Sequence, residues 1–387
     1  MSDFKKFTLD EVCERIYSGG TPSTKHSDYW NGDLKWLSSG ETSQRFIYDT
    51  ERKITQKGVD NSSTKLATKG CTVIATAGQG FTRGQASFLM TDTYMNQSVI
   101  ACKPNEQMIL PLYLYYNLDN RYEEFRQLSD GTSTRGGLSG WIVKRMEINL
   151  PPLDVQKRIT EILYSIDRKI ETNAWINNNL EQQAKALYNQ MFLAKASDDW
   201  TQGVLSDIAD ITMGQSPSGD SYNEEGIGTI FYQGRAEFGT RFPSQRLCTT
   251  QPKRMACEND VLMSVRAPVG DLNVAREDCC IGRGLASIRS KDNHQSFVLY
   301  TMFALQLELD KFNGEGTVFG SINRDSLNKL PIIIPSIDTM DQFESVVAPM
   351  DAQIRTNHEE NLRLEAIRDA LLSKLMSGEL DVSEVDI

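Results

Sequence analysis

The chain has 387 residues, 39% of them hydrophobic and 24% charged, with a formal net charge of −11. This composition fits a folded globular protein with room for two or three domains and argues against a fibrous or long disordered chain. No apolar stretch approaches the roughly 18–20 residues of a membrane span, and Met1 to Asp10 lacks a signal-peptide core, so a cytoplasmic location is expected. Seven cysteines without a Cys-x-x-Cys pair, with only His26, His294 and His358, argue for reduced thiols and against a zinc site or a Ser-His-Asp triad.

Charge is unevenly spread. Residues 1–150 carry 18 basic against 17 acidic side chains, 196–335 carry 13 against 18, and 336–387 carry 4 against 12. The acidity gathers at the end and leaves room for a basic face elsewhere, so net charge neither supports nor excludes nucleic acid.

In chain order, residues 1–150 read as a mixed α/β domain. Cys71 to Thr76 and Gln97 to Cys102 are β-rich runs between polar and glycine clusters, and Leu110 to Leu118 reads as a helix. Pro151-Pro152 then marks a helix start, and apolar residues recur at steps of three and four through 151–195, including Ile159, Ile166, Ile170, Leu180 and Leu187. A second mixed α/β part fills 196–335, with β-rich runs at Gly228 to Tyr232 and Val261 to Val265 and a helical segment from Phe297 to Leu309. The last part, 336–387, repeats the helical spacing with Phe343, Met350, Ile354, Leu364 and Leu371 and ends in an acidic tail.

The two halves follow one plan. Ile148-Asn149-Leu150-Pro151-Pro152-Leu153-Asp154 returns as Ile332-Ile333-Ile334-Pro335-Ser336-Ile337-Asp338, and Ile166-Asp167 with Thr172-Asn173 returns as Met350-Asp351 with Thr356-Asn357. Each helix spans about 40 residues, roughly 60 Å, and neither amphipathic face is stable alone in water. The expected fold is therefore α+β: two mixed α/β domains separated by two long antiparallel coiled-coil helices, with a pseudo-two-fold internal repeat. Asn173 and Asn357 fall where the apolar seam continues, as register-fixing polar residues do; exposed asparagines in an Asn-rich stretch are the alternative.

A search for catalysis returns little. Phe312-Asn313-Gly314-Glu315-Gly316 imitates a methyl-donor loop but follows a helix, and no Asn/Asp-Pro-Pro-aromatic sequence exists to hold a flipped base. Phosphate loops and nucleophile elbows are also missing from the sequence, so the chain reads as non-catalytic.

What the loops do carry are matched polar segments. Gly19 to Lys25 pairs with Gly214 to Ser218, Gly78 to Arg83 with Ser264 to Gly270, and Gly131 to Gly136 with Gly316 to Ser321. Arginine forks to guanine and glutamine to adenine in a major groove, which makes Gln79, Arg83, Arg135, Gln233, Arg235, Arg266 and Arg283 direct-readout candidates. Thr21, Ser23, Lys25, Thr132, Gln215, Ser218, Thr317 and Ser321 complete the DNA-binding set as polar loop contacts, with solvated loop positions the alternative for each. Trp30 and Trp36 read as core residues before base-stacking ones.

These residues resemble the specificity subunit of type I restriction-modification systems. Gly19-Gly20-Thr21-Pro22-Ser23 with Asp28-Tyr29-Trp30-Asn31-Gly32 and Asn96-Gln97-Ser98 look like the opening of its target-recognition domain. Leu150 to Ile159 and Leu372 to Leu380 resemble the start and end of its conserved helices; the second half departs, for Gly214-Gln215-Ser216-Pro217-Ser218 lacks the double glycine. The resemblance implies two target-recognition domains reading a bipartite, asymmetric DNA sequence, with helix length setting the spacer. It also implies two modification (methyltransferase) subunits as partners and, in some systems, two restriction subunits. S-adenosylmethionine, ATP and magnesium would then belong to those partners, with no catalytic, cofactor or metal residue in this chain. The acidic segment 336–387 is expected to face partners or solvent. A modification enzyme with fused recognition domains, and a coiled-coil scaffold or solitary DNA-binding module, are the alternatives.

Overall fold

The structure is a computed structural model that describes residues 4–78, 80–130, 137–194, 200–266, 268–314 and 320–382. Its contacts divide the chain into two units, Met1–Glu171 with Asn361–Ile387, and Thr172–Glu360. Each unit therefore combines one globular part with half of each long helix.

In the first unit, strand Lys5–Thr8 pairs antiparallel with Glu147–Leu150, which joins the two ends of the globular part just ahead of the helix that begins at Leu153. A five-stranded sheet follows in the order Cys13–Ser18, Val99–Pro104, Thr72–Ala75, Ala86–Leu89, Phe46–Ile47, beside a four-stranded sheet ordered Arg52–Ile54, Trp30–Leu37, Thr93–Met95, Lys65–Ala67. The second unit restates this plan. Thr201–Val204 pairs with Pro331–Ile334, and the sheets run Ala209–Met213, Leu285–Ser290, Val261–Val265, Val269–Val274 and Tyr222–Asn223, Leu247–Thr249, Thr229–Tyr232, Cys279–Ile281, Met255–Ala256. The four-stranded sheet of the first unit and the five-stranded sheet of the second each hold one parallel contact, Trp36–Leu37 against Tyr94–Met95 and Phe231–Tyr232 against Cys280–Ile281.

The helical segment expected at Leu110 to Leu118 is the helix Pro111–Asp119, with proline in its first turn. The one expected at Phe297 to Leu309 is instead two helices, Gln295–Ala304 and Gln306–Asp310. Leu305 breaks it (φ −81°, ψ 5°), and the turn lets Leu309 reach full burial while Leu307 stays 78% exposed. Trp30 and Trp36 are core residues, packed edge to face at 5.0 Å with the Arg52 guanidinium 3.8 Å over Trp30.

The long helices are Leu153–Tyr188, closed by a π turn at Asn189–Leu193, and Ile337–Ser377, which carries Pro349 in its interior. Their pairing is antiparallel in each unit. In the first, Asn361 Nδ2 donates to the Ile170 carbonyl (3.1 Å), Arg368 pairs with Asp167 (3.1 Å) and Arg158 donates to the Val382 carbonyl (3.3 Å). In the second, Asn173 Nδ2 donates to Glu360 (2.7 Å) and Asn177 Nδ2 to the Ile354 carbonyl (3.1 Å).

The seam differs from the expected apolar stripe. Ile159, Phe343 and Ile354 are buried, whereas Ile166, Ile170, Leu180, Leu187, Met350, Leu364 and Leu371 are half-buried. The apolar contact concentrates where the helices meet each globular core, as with Val155, Ile159 and Leu163 beside Leu372 and Leu375. Farther from that core, amide side chains take over. Asn173 and Asn357 are 1% and 5% exposed, so both are interior, and Asn357 donates to Asn177 Oδ1 (2.8 Å) while accepting from Gln353 (2.7 Å). Buried amides satisfied by one particular neighbour penalise any slip of one helix past the other.

The acidic end is only partly a surface. Asp341, Asp369 and Glu379 keep 64, 64 and 68% of their side chains exposed, but Asp351 turns inward, and Glu344 accepts from the amides of Ser296 and Phe297 (3.1 and 3.2 Å). A carboxylate is favoured there because the first amides of a helix are unpaired donors.

Candidate nucleic-acid interface

Strand direction brings the first unit's matched loops together. Register pairs Ser18 with Ile100, Val99 with Ala75 and Ile74 with Ala86, so the loops after Ser18, before Val99 and between Ala75 and Ala86 leave one end of one sheet. Backbone bonds then tie them: Gly20 N–H donates to the Met95 carbonyl (2.9 Å), Thr76 N–H to Ser98 (2.8 Å) and Leu138 N–H to Thr76 (3.1 Å). The Thr21 hydroxyl donates to Gln97 Oε1. A Cβ at Gly19 would lie 1.9 Å from the Met95 carbonyl oxygen, which is why a side chain there would push the loop off the sheet end.

The second unit repeats the arrangement. Met213 pairs with Ala286, Ser264 with Leu285 and Val265 with Val269, so the loops 214–218 and 282–284 share one end of the sheet with Arg266 and Pro268. Gly214 N–H donates to Leu285 (2.9 Å), Val265 N–H to Gly284 (2.9 Å) and Ile322 N–H to Val265 (3.1 Å). Arg266 bridges to Ser321, and Gly214 meets the Gly282 carbonyl as Gly19 meets Met95. The single glycine of the second motif therefore occupies the position of the first of the double pair.

Most expected contact residues are displayed at these two ends. Thr21, Ser23, Lys25, Gln215, Gln233, Arg266, Arg283 and Ser321 are exposed, and Arg83 is half-buried. Gln233 joins the second cluster because its carbonyl lies against Gly282 and Gly284. Among the described residues, Arg266 and Arg283 have no ion-pair partner, whereas Arg235 is already paired with Asp271. Ser218 is also committed: its hydroxyl bonds Asp220, whose carboxyl is thereby held below its ordinary range, and a carboxylate at that spot repels phosphate. Near Lys25, the Asp28 carboxyl is held low by Lys57 at 2.5 Å. Gln79, Thr132, Arg135 and Thr317 lie outside the described residues.

Behind the loops stand groups outside the matched segments. Tyr122 and Arg126 hold the Gly80 and Phe81 carbonyls from the helix Tyr122–Asp130, and Asn313 holds the second unit's turn, its side chain accepting from Val269 N–H (2.6 Å) and donating to the Val269 carbonyl (3.1 Å). An asparagine just past a helix was the available signal in the second unit; nothing local marked Arg126. Among the described residues, no group of three or more His, Cys, Asp or Glu side chains is placed to hold a metal ion, and no helix is long and apolar enough to cross a membrane.

A family model described as the type I restriction modification DNA specificity domain matches residues 1–182 and 197–366. A chain provisionally assigned as the MjaX specificity subunit of a type I restriction enzyme in Methanocaldococcus jannaschii is 30% identical over 324 residues, covering 77% of this chain and 74% of its own length. The MjaIX specificity subunit of the same organism is 25% identical over 414 residues, 99% of this chain and 94% of the relative. In fold, the solved S subunit of a type I restriction-modification system from M. genitalium covers 97% of this chain and 96% of its own with a TM-score of 0.64 at 15% identity.

Proposed function

Because the chain belongs to the type I restriction modification DNA specificity family and is a DNA-recognition subunit, we propose that its two loop clusters each read one half of a split, asymmetric DNA sequence. It acts with DNA and the other subunits of such a system. The observation that carries the finer reading is the repeated convergence of matched polar loops at one sheet end in each unit. Loops tied to a sheet by backbone bonds keep their side chains in place, so arginine and glutamine can be aimed at base edges without a large ordering cost.

In this reading, Arg266, Arg283 and Gln233 give base contacts in the second half-site, and Arg83 does so in the first. Ser23 and Lys25 contact phosphate, and Thr21, whose hydroxyl proton goes to Gln97, fixes the loop that carries them. Arg235 contributes only after leaving Asp271. The partners are two modification subunits and, where present, two restriction subunits. S-adenosylmethionine, ATP and magnesium are assigned to them and catalysis lies outside this chain. The unlike loop chemistry of the two units is what makes the target asymmetric.

Long-read sequencing of DNA modification in the native host, with and without this gene, tests the reading. Loss of one bipartite methylated motif on deletion is expected; an unchanged methylome counts against it. In the complex, Arg266→Ala is expected to relax base preference in one half-site by roughly 1–3 kcal/mol, and a scaffold would show no change in DNA preference at all.

A further inference from the structure

We propose that Phe81 is an aromatic wedge by which the first unit inserts against a base step of its half-site, an inference that rests on the DNA-recognition reading above. Phe81 is 82% exposed, more than any other large hydrophobic residue described. A lone exposed apolar side chain would ordinarily call for no explanation. Here, however, the main chain around the ring is fastened while the ring is left uncovered.

The fastening comes from several directions. Arg126 Nη1 donates to the Gly80 carbonyl (2.8 Å) and the Tyr122 hydroxyl to the Phe81 carbonyl (3.0 Å), so both peptide oxygens flanking the Phe81 Cα are held from the helix behind. Gly84 N–H donates to Ala75 (2.9 Å) and Gln85 N–H to Thr82 (3.1 Å). Gly80 and Gly84 take φ of 62° and 92°, conformations open to glycine, and a Cβ at Gly84 would press on the Phe125 side chain at 3.2 Å. Burial of a phenylalanine is strongly favourable, so a turn built this firmly around an open ring holds it in reserve for an apolar surface supplied from outside.

Position identifies that surface. The turn leaves the same sheet end as the Thr21–Lys25 and Asn96–Ser98 loops, and the hollow beside the ring is lined by Thr42, Ser43, Arg45, Gln85, Asp119 and Tyr122, a polar rim unlike an apolar protein face. The equivalent turn of the second unit is also held from behind, by Asn313, but presents Arg266. One plan thus offers a ring in one half and a guanidinium in the other. Aromatic and aliphatic side chains pushed between base pairs unstack a step and bend the duplex, which gives sequence preference through the ease of unstacking.

The test uses the full chain assembled with its modification subunits and the duplex identified by modification sequencing, with 2-aminopurine placed in turn along the first half-site. The unsubstituted complex is expected to raise fluorescence at one step, and Phe81→Ala to abolish that rise and weaken target binding by roughly 5- to 150-fold, the range for loss of one base–aromatic stack. Phe81→Trp should keep both signals. Exposure of the ring makes misfolding of Phe81→Ala no confound, and binding to a scrambled duplex should be unchanged. The wedge is overturned if Phe81→Ala binds the target as tightly as the unsubstituted complex, or if affinity falls without any change in the fluorescence pattern. A different failure, an unsubstituted complex that does not prefer the target over the scrambled duplex, would overturn the recognition reading itself.

Discussion

The two units solve one problem, docking a globular part on a long helix, with the same two residues and different company. In the first, the Tyr116 hydroxyl donates to Asp167 (2.7 Å); in the second, Tyr300 donates to Asp351 (3.0 Å), and both members of the pair recur at the repeat offset. Each carboxylate also meets an arginine from the globular part, Arg45 at 3.3 Å and Arg241 at 2.5 Å. Around this core the units diverge. Asp167 has a second cation, Arg368, at 3.1 Å, and Arg45 also pairs with Asp119 (2.9 Å). Arg241 likewise bridges two carboxylates, Asp351 and Glu181, the latter at 3.1 Å, but here the second cation, Lys185, pairs with Glu181 (2.6 Å) and not with the repeated aspartate. Burial pushes the Asp351 carboxyl above its ordinary range, with Arg241 opposing the rise. The repeat has thus kept the hydrogen bond that fixes the long helix against a helix of the globular part, while the second cation has moved, from the repeated aspartate in the first unit to the other carboxylate in the second.

Removing Arg241 should hurt most. Arg241→Ala leaves Asp351 without a cation in a site where the arginine side chain was 8% exposed, and the expected loss is about 3–5 kcal/mol in the second unit. Hydrogen exchange resolved by segment should show the loss in 200–335 and leave 5–150 protected. Arg45→Ala should cost less, about 1–3 kcal/mol, because Arg368 still neutralises Asp167 and the Arg45 side chain, 28% exposed, leaves water within reach of Asp119. Equal losses from the two variants in urea unfolding would dissolve the contrast.

Asn177→Ala and Asn361→Ala probe what the repeat has kept. Asn177 donates to the Ile354 carbonyl and Asn361 to the Ile170 carbonyl, both at 3.1 Å and related residue for residue by the repeat. Each should lose about 1 kcal/mol, and by the same amount. A clear inequality in thermal unfolding would place the drift inside the helix pair as well.

The smallest expected effect concerns pH. Burial, then the nearby Arg276, holds the His358 imidazole below its ordinary 6.5, in a second-unit site where it lies 4.9 Å from the Phe242 ring. A depressed histidine contributes stability above its unfolded pKa and loses it as pH falls through the folded value. Acidification below about pH 6.5 should therefore weaken the second unit, and His358→Gln should shallow that decline in melting experiments. An unchanged slope would remove His358 from the account.

Much of this was readable from the residues. The helix start at Pro151-Pro152, the return of Asp167 as Asp351 and the interior places of Asn173 and Asn357 followed from periodicity and offset, because a helix converts sequence spacing directly into a face. The arginines that meet those aspartates were not readable. Arg45 lies more than a hundred positions from Asp167 and sits at a different offset from its counterpart Arg241, so no local pattern connects them. The seam departs from a continuous apolar stripe for a related reason: periodicity marks which side of a helix turns inward, but not whether carbon or an amide waits there.

At the interface, the pairing of the loops and the side chains they carry follow from the residues alone, since repeat offsets and residue chemistry are local properties. Which of those side chains are available follows from the folded chain. Antiparallel strand order brought separated loops to one end, Asp271 and Asp220 claimed Arg235 and Ser218, and the helix behind the first turn left Phe81 facing outward. These outcomes depend on distances across the sheet, and such distances exist only once the chain has folded and every polar group has been allotted a partner.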